Sequence, residues 1–179
     1  GSLFPPLGDS GGRDRLTADP GKSFAERHPL APEQIERRSF TIIAELLPDV
    51  DQSRPEWPII RRIIHTTGDP ALVHQIRIHA RAVTAGVEAV QAGRPILTDV
   101  RMVAAGITRG IASRFGCEIV CAIDDPVVAA LARAQDTTRS TAALRHLSPR
   151  LPGAVVAIGN APTALFALLD HLAAGHMPP

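Results

Sequence analysis

The clearest strand of this chain is Ala154-Val155-Val156-Ala157-Ile158, and the turn Gly159-Asn160-Ala161-Pro162 connects it to a helix predicted over residues 162–174. Five consecutive apolar residues followed by turn residues are typical of a strand that is buried on both faces. Proline suits the first turn of a helix, where its missing N–H costs no hydrogen bond. This stretch therefore predicts a strand–turn–helix unit of a parallel α/β sheet.

The same alternation of strands and helices extends back along the chain. Further strands are expected over residues 95–99 and 118–123, with a weaker candidate over 73–79. Apolar stripes at helical spacing predict helices that begin at or near Pro32, after Pro55, and over residues 80–92, from 101, 126–135 and 138–147. The predicted fold class is α/β, a three-layer αβα arrangement around a mostly parallel sheet.

The two ends of the chain carry separate expectations. Residues 1–30 are rich in Gly, Pro and Asp and have no apolar period, so they are predicted to form a flexible arm that starts with the tag remnant Gly1-Ser2. Residues 31–179 are predicted to form one α/β domain. A helix after a parallel strand normally leads to another strand, so we expect this sheet to lack its C-terminal strand or strands.

Composition excludes several functional classes. The 179 residues carry a net charge of +1 and only 3% aromatic residues, which provides no electrostatic field or stacking platform for nucleic acid. No apolar run approaches the roughly 18 residues that a membrane span needs, and the N-terminus does not resemble a signal peptide. Together with only two cysteines, these features predict a cytoplasmic protein without nucleic-acid or membrane partners.

Polar residues follow the predicted strands at Asp99, at Asp124-Asp125 and at Gly159-Asn160. Ligands of open parallel sheets bind at the carboxyl ends of the strands, although Asp and Asn there also commonly cap the next helix. The turn at residues 159–163 is expected to present free backbone N–H groups to a substrate carboxylate. It lacks the spaced glycines and the lysine of a phosphate-binding loop.

Two basic residues are candidates for chemistry. His65 is predicted at a helix C-terminus, which favours the imidazolium form and could keep a proton available for catalysis; a surface histidine is the alternative. Arg139 lies in a polar break between two helices and could bind a carboxylate bidentately, or could simply be solvated. Cys117 and Cys121 are predicted to pack in the core on one face of a strand, and no metal site is expected.

Six segments, in order along the chain, closely resemble the precorrin-8X methylmutase family of cobalamin biosynthesis. They are Ile35-Glu36-Arg37-Arg38-Ser39-Phe40, Ile64-His65-Thr66-Thr67-Gly68-Asp69, the run from Ala92 through Thr98-Asp99 to Val103, Ala122-Ile123-Asp124-Asp125-Pro126, Thr138-Arg139-Ser140, and the run from Val156 through Gly159-Asn160-Ala161-Pro162 to Phe166. The resemblance covers roughly residues 32–176.

The resemblance implies an intramolecular methyl transfer. Family members move a ring methyl group from C-11 to C-12, which converts precorrin-8X to hydrogenobyrinate, or they act on the cobalt-containing counterpart, cobalt-precorrin-8. It further implies that no cofactor is needed and that the protein is a homodimer. It assigns the catalytic role to His65 and a substrate contact to Arg139, and it indicates that Ser39, Thr66, Ser140 and Asn160 line the substrate pocket.

Two other interpretations stay open at the level of sequence. Family members continue after the last helix with another strand and a Gly-rich segment that this chain does not have, which would suit a non-catalytic corrinoid carrier or an inactive fragment. The third interpretation is an unrelated α/β domain that binds a small anion.

Overall fold

The computed structural model describes residues 31–175, without the side chain of Pro32. The chain divides into two compact units, one up to Ile76 and one from Arg77 onward, and each is described by itself. The flexible arm and tag remnant predicted over residues 1–30 lie outside the described residues.

The first unit is a pair of helices followed by a short 3-10 helix. Helix α1 (Pro32–Leu46) and helix α2 (Trp57–Thr67) begin and end close to the predicted positions, and the 3-10 helix spans Pro70–His74. Ile43, Trp57 and Ile64 are buried between the two helices. The longest described helix, α1, has 15 residues, and no helix between residues 31 and 175 is long and apolar enough to cross a membrane.

The second unit alternates helices with three short strands. Its elements are α3 (Ala82–Gln91), β1 (Ile96–Thr98), α4 (Arg101–Gly106), α5 (Arg109–Arg114), β2 (Ile119–Cys121), α6 (Pro126–Ala134), α7 (Arg139–His146), a 3-10 helix (Ser148–Arg150), β3 (Val155–Ala157) and α8 (Pro162–Ala173). The strands pair in the order β2–β1–β3, and both pairings are parallel. The predicted parallel sheet is confirmed.

Helices cover both faces of this sheet. Leu97 is aligned with Val120 and Val156, and these three side chains pack against buried residues of α6, α7 and α8 such as Val128 and Ala143. The preceding residue of each strand faces the other side of the sheet, where Ile96, Ile119 and Val155 pack with Val90 of α3 and Ala112 of α5. Alternate residues point to opposite faces, so continuous apolar strands produce three layers, as predicted.

The prediction of a strand over residues 73–79 is wrong. Residues 70–74 form a 3-10 helix, which Asp69 starts by accepting a hydrogen bond from the Ala71 N–H at 2.9 Å. Residues 75–79 pair with no strand of the described chain. Ile76, Arg77 and Ile78 alternate between apolar and polar, as the residues of a strand often do. A strand also needs a hydrogen-bonding partner strand, and a local sequence pattern does not show whether one is present.

Gly159, in the turn after β3, is required for a steric reason. A Cβ atom built on it would lie 2.6 Å from the Cγ2 atom of Val103, a stiff β-branched side chain. We expect Gly159→Ala to lower the free energy of unfolding by about 1–3 kcal/mol, measured by urea denaturation.

Gly86→Ala is the matched control. Gly86 lies inside α3 and a Cβ there meets nothing within 4 Å, so alanine should stabilise the protein by roughly 0.5–1 kcal/mol. Equal stability of the Gly159→Ala variant and the unchanged protein would contradict the close approach to Val103.

Candidate functional site

His65 lies in the last turn of α2, which ends at Gly68 in the left-handed conformation with a φ of 70°. The position at a helix C-terminus and the partial burial predicted for His65 are both confirmed. Its Nδ1 atom is 2.7 Å from the hydroxyl oxygen of Ser39 on α1. The contact holds the imidazole ring against the neighbouring helix.

Phe40 restrains the same ring from the side. The two rings meet edge to face with their centroids 5.3 Å apart and an interplanar angle of 70°. The guanidinium groups of Arg61 and Arg62 lie 4.1 and 4.9 Å from the centroid of Phe40. These cation–π contacts order Phe40 and thereby support the orientation of His65.

A carboxylate balances part of this positive charge. Arg62 donates a hydrogen bond of 2.7 Å to Glu36 on α1. This hydrogen bond lowers the pKa of Glu36, and the charges of Arg62, His65 and Arg61 contribute in the same direction. Arg62 is therefore already paired and does not need a ligand anion.

His65 and Ser39 line an open cavity of about 360 Å³ in the first unit. Most of its walls are apolar, and Arg38 is the additional charged residue among the lining side chains. The full lining is Ile35, Arg38, Ser39, Ile42, Ile43, Leu46, Ile64, His65, Gly68 and Pro70. Such a groove suits a flat, largely apolar ligand that carries some anionic substituents.

Thr66, which the resemblance places at the pocket, is exposed. Its hydroxyl donates a hydrogen bond of 2.9 Å to the Arg62 carbonyl oxygen within α2. In this position the hydroxyl serves the helix backbone.

The remaining candidate residues lie in the second unit, at the starts of α7 and α8. Thr138 caps α7, and its hydroxyl lies 2.9 Å from the hydroxyl of Thr163 in the first turn of α8. A hydrogen bond of 3.2 Å from the Thr141 hydroxyl to the Thr163 carbonyl also joins the two helices. The structure therefore places the first turns of α7 and α8 side by side.

These linked turns carry the other predicted substrate contacts. Arg139 is the first residue of α7 and is exposed, whereas Ser140 is half-buried. Asn160 is exposed and precedes the start of α8 by two residues. The structure thus pairs Ser39 with His65 in one unit and places Arg139, Ser140 and Asn160 at adjacent helix starts in the other.

The expectation that the turn at residues 159–163 presents free N–H groups is wrong. The carboxylate of Asp99 accepts hydrogen bonds from the N–H groups of Gly159, Asn160 and Ala161 at 3.3, 3.0 and 2.8 Å. Asp99 ends the central strand β1, beside β3, so its side chain reaches the turn after β3. The carboxylate of Asp99 thus occupies the position at which a substrate carboxylate was expected to bind.

Asp99 supports the carboxyl edge of the sheet, a structural role that sequence reasoning missed. Its side chain is buried, and the Val100 N–H donates a fourth hydrogen bond at 2.9 Å. Burial by itself raises the pKa of Asp99, but the bonds from Ala161, Asn160, Gly159 and Val100 together outweigh burial and hold the pKa below its usual range. The sequence alone does not show that β1 pairs with β3, so it could not predict that Asp99 reaches the turn after β3.

The other strand ends have structural partners. Asp125 accepts a hydrogen bond of 2.8 Å from the Val127 N–H, so the alternative interpretation of this residue as a helix cap is confirmed. Asp124 forms an ion pair with Arg101.

Cys117 is buried in the core, as predicted, although it precedes β2 and is not within it, and Cys121 is half-buried within β2. Between residues 31 and 175, no three His, Cys, Asp or Glu side chains form a group that could hold a metal ion.

A doubly covered parallel sheet with ligand-binding candidates at the carboxyl ends of its strands defines an α/β protein of the small-molecule-binding class. A family model described as CbiC: Precorrin-8X methylmutase matches residues 34–179. The chain belongs to the precorrin-8X methylmutase family. This membership removes the interpretation as an unrelated anion-binding domain.

Individual relatives agree with the family match. A precorrin-8X methylmutase from Sinorhizobium sp is 43% identical over 148 residues, which cover 81% of this chain and 69% of that protein. A cobalt-precorrin-8 methylmutase from Priestia megaterium is 34% identical over 148 residues, covering 83% of this chain and 66% of the relative. The chain thus spans about two thirds of the length of these curated relatives.

A solved structure supports the fold. The crystal structure of a precorrin-8X methylmutase from Thermus thermophilus matches with a TM-score of 0.73 at 40% sequence identity, covering 82% of this chain and 71% of that one.

We expect Asp99→Asn to destabilise the protein. Each Asp99 oxygen accepts two N–H groups, and asparagine has only one oxygen, so two partly buried donors would lose their acceptor. The loss should cost about 1–3 kcal/mol for each unsatisfied N–H, measured by urea denaturation at neutral pH.

The effect should depend on pH. The pKa of Asp99 is lower in the folded than in the unfolded protein, so its stabilisation is complete above the ordinary aspartate pKa and is lost as the pH falls toward the folded value. The difference between Asp99→Asn and the unchanged protein should therefore shrink below about pH 4.

Asp125→Asn is the control, because asparagine caps a helix as well as aspartate does. A pH-independent effect of Asp99→Asn would contradict a stabilising role of the Asp99 charge.

Proposed function

We propose that this chain is a precorrin-8X methylmutase, an isomerase that moves a ring methyl group from C-11 to C-12 to produce hydrogenobyrinate, or that acts in the same way on cobalt-precorrin-8. The observation that carries the proposal is His65, held by Ser39 at 2.7 Å in the wall of a largely apolar cavity. Family membership supplies the reaction class.

His65 is the proposed proton donor. Its imidazole lies in the last turn of α2, at the C-terminal end of the helix. Ser39 contacts Nδ1, and no described residue hydrogen-bonds Nε2, so Nε2 is the nitrogen that can face a ligand. We propose Nε2 as the nitrogen that carries the transferable proton.

Ser39 can hold the ring before and after proton transfer. In the imidazolium, the Nδ1–H donates to the serine oxygen, and this bond persists when Nε2 has released its proton. The ring therefore needs no reorientation during a catalytic cycle. We propose Ser39 as the residue that keeps His65 in the productive orientation.

The proposed chemistry needs no oxidant, reductant or acceptor. The methyl group breaks its bond to C-11 and forms a bond to C-12 of the same molecule, so the composition of the substrate is conserved. Protonation of a ring nitrogen by His65 selects the tautomer in which this 1,5-sigmatropic shift is allowed, and the proton returns afterward. We accordingly propose that the reaction proceeds without a cofactor.

Within the second unit, Arg139, Ser140 and Asn160 are the residues proposed to bind carboxylate side chains of the macrocycle. Thr66, in the first unit, is proposed only as a pocket residue, because its hydroxyl donates to the Arg62 carbonyl oxygen. Arginine binds carboxylates bidentately, and Arg139 is exposed at a helix start. Asn160 would contribute its side-chain amide, because its backbone N–H is bound to Asp99.

We expect His65→Ala to reduce turnover of precorrin-8X at least a hundredfold while binding of hydrogenobyrinate is retained, because a proton donor contributes to the chemical step. Conversion is followed by the visible spectrum and binding by absorbance titration. His146→Ala, at an exposed position in α7, is the matched control and should leave both unchanged.

Turnover by His65→Ala at the rate of the unchanged protein would contradict the role of His65. Tight binding of hydrogenobyrinate by the unchanged protein with no turnover of precorrin-8X would support the alternative function of a corrinoid carrier.

The proposed assembly is a cytoplasmic homodimer. Exposed apolar side chains outside the His65 cavity, such as Met102 and Phe166, 67% and 62% accessible, are compatible with association of two copies. Light scattering coupled to gel filtration should give about twice the chain mass of 19.0 kDa. A mass of one chain at micromolar concentration would contradict the dimer, and cell fractionation tests the location.

A further inference from the structure

Arg38 contributes a guanidinium group to the cavity that His65 lines. It lies on α1 next to Ser39 and is exposed, so its guanidinium occupies the rim of the cavity. The cavity lining contains no aspartate or glutamate. The charge of Arg38 is therefore not compensated within the described lining.

The sequence of α1 makes this placement unusual. Ile35, Arg38 and Ile42 are spaced at i, i+3 and i+7, which puts them on one face of the helix. Ile35 and Ile42 are apolar lining residues of the cavity, so Arg38 interrupts an apolar stripe. Ile35 and Ile42 are 52% and 45% exposed, so this face of α1 is accessible to a ligand that could contact both the apolar side chains and Arg38.

Neighbouring arginines are engaged elsewhere. Arg62 is paired with Glu36, and both Arg61 and Arg62 lie over the ring of Phe40. No hydrogen bond or ion pair joins Arg38 to any residue between 31 and 175. Arg61 also has an Nε without a hydrogen-bond partner, but Arg61 does not line the cavity, so Arg38 is the lining arginine whose donors stay available to a ligand.

We propose that Arg38 binds one carboxylate of the macrocyclic substrate at the rim of the His65 cavity. Its planar fork can donate two parallel hydrogen bonds to the oxygens of one carboxylate, away from the reacting carbons. Arg38 thereby contributes to substrate binding and takes no part in proton transfer. This inference rests on the proposed function and adds a substrate-binding residue to it.

The test compares two adjacent arginines of α1. Arg38→Ala should raise the KM for precorrin-8X and the Kd for hydrogenobyrinate roughly tenfold to a hundredfold, with kcat within about twofold, because a charge-assisted contact is lost from binding. Arg37→Ala removes the same charge from an exposed position outside the cavity lining and should change neither. Arg38→Lys should recover only part of the affinity, since lysine lacks the fork.

A second measurement identifies the ligand group. Hydrogenobyrinate with all its carboxylates esterified should bind equally to Arg38→Ala and to the unchanged protein. Equal KM values for Arg38→Ala and Arg37→Ala, or an undiminished preference of Arg38→Ala for the free acid over the esterified ligand, would overturn the role of Arg38 while leaving the proposed function intact. Failure of the unchanged protein both to bind and to convert the tetrapyrrole would instead overturn the proposed function, and the inference with it.

Discussion

The buried carboxylate of Asp99 connects the central strand of the sheet to the turn that starts α8. It accepts four backbone N–H groups, three of them from the turn that follows β3. Those donors belong to the region of the chain where a helix N-terminus leaves its N–H groups unpaired, and a charged acceptor satisfies them strongly. The position of Asn160, and with it the carboxyl edge of the sheet, depends on this contact.

The same interaction leaves the N–H groups of Gly159, Asn160 and Ala161 unavailable to a ligand. A helix N-terminus usually attracts an external anion, but here an internal one already neutralises it. For the proposed substrate, this leaves side-chain donors as the partners of its carboxylates, and the exposed guanidinium of Arg139 lies at the helix start next to α8. The turn acts as a rigid support whose backbone donors are already in use.

In the first unit, contacts between the two helices orient the imidazole of His65. Ser39, Phe40 and the end of α2 contact or surround His65 on separate sides. Because Ser39 and His65 are 26 residues apart, this pair exists only where α1 and α2 pack against each other. The core residues Ile43, Trp57 and Ile64 therefore support the site as well as the fold.

Most of the fold was predictable because its signals are local. Continuous apolar runs at Ile96–Thr98 and Val155–Ala157 indicated buried parallel strands, and prolines at helix starts marked α6 and α8. Where the local signal was ambiguous, as over residues 73–79, the strand prediction failed because pairing depends on a distant partner. Helix α5 (Arg109–Arg114) was likewise not anticipated as an element separate from α4.

The sequence by itself determined the layers, the parallel strands, the helix-end position of His65 and, through its motifs, the family. Tertiary structure alone decided which donors and acceptors meet: Asp99 with the turn 60 residues later, Ser39 with His65, and Thr138 with Thr163. The physical reason is that periodicity and capping act over a few residues, whereas a hydrogen bond between elements requires strand order and helix packing to be set first.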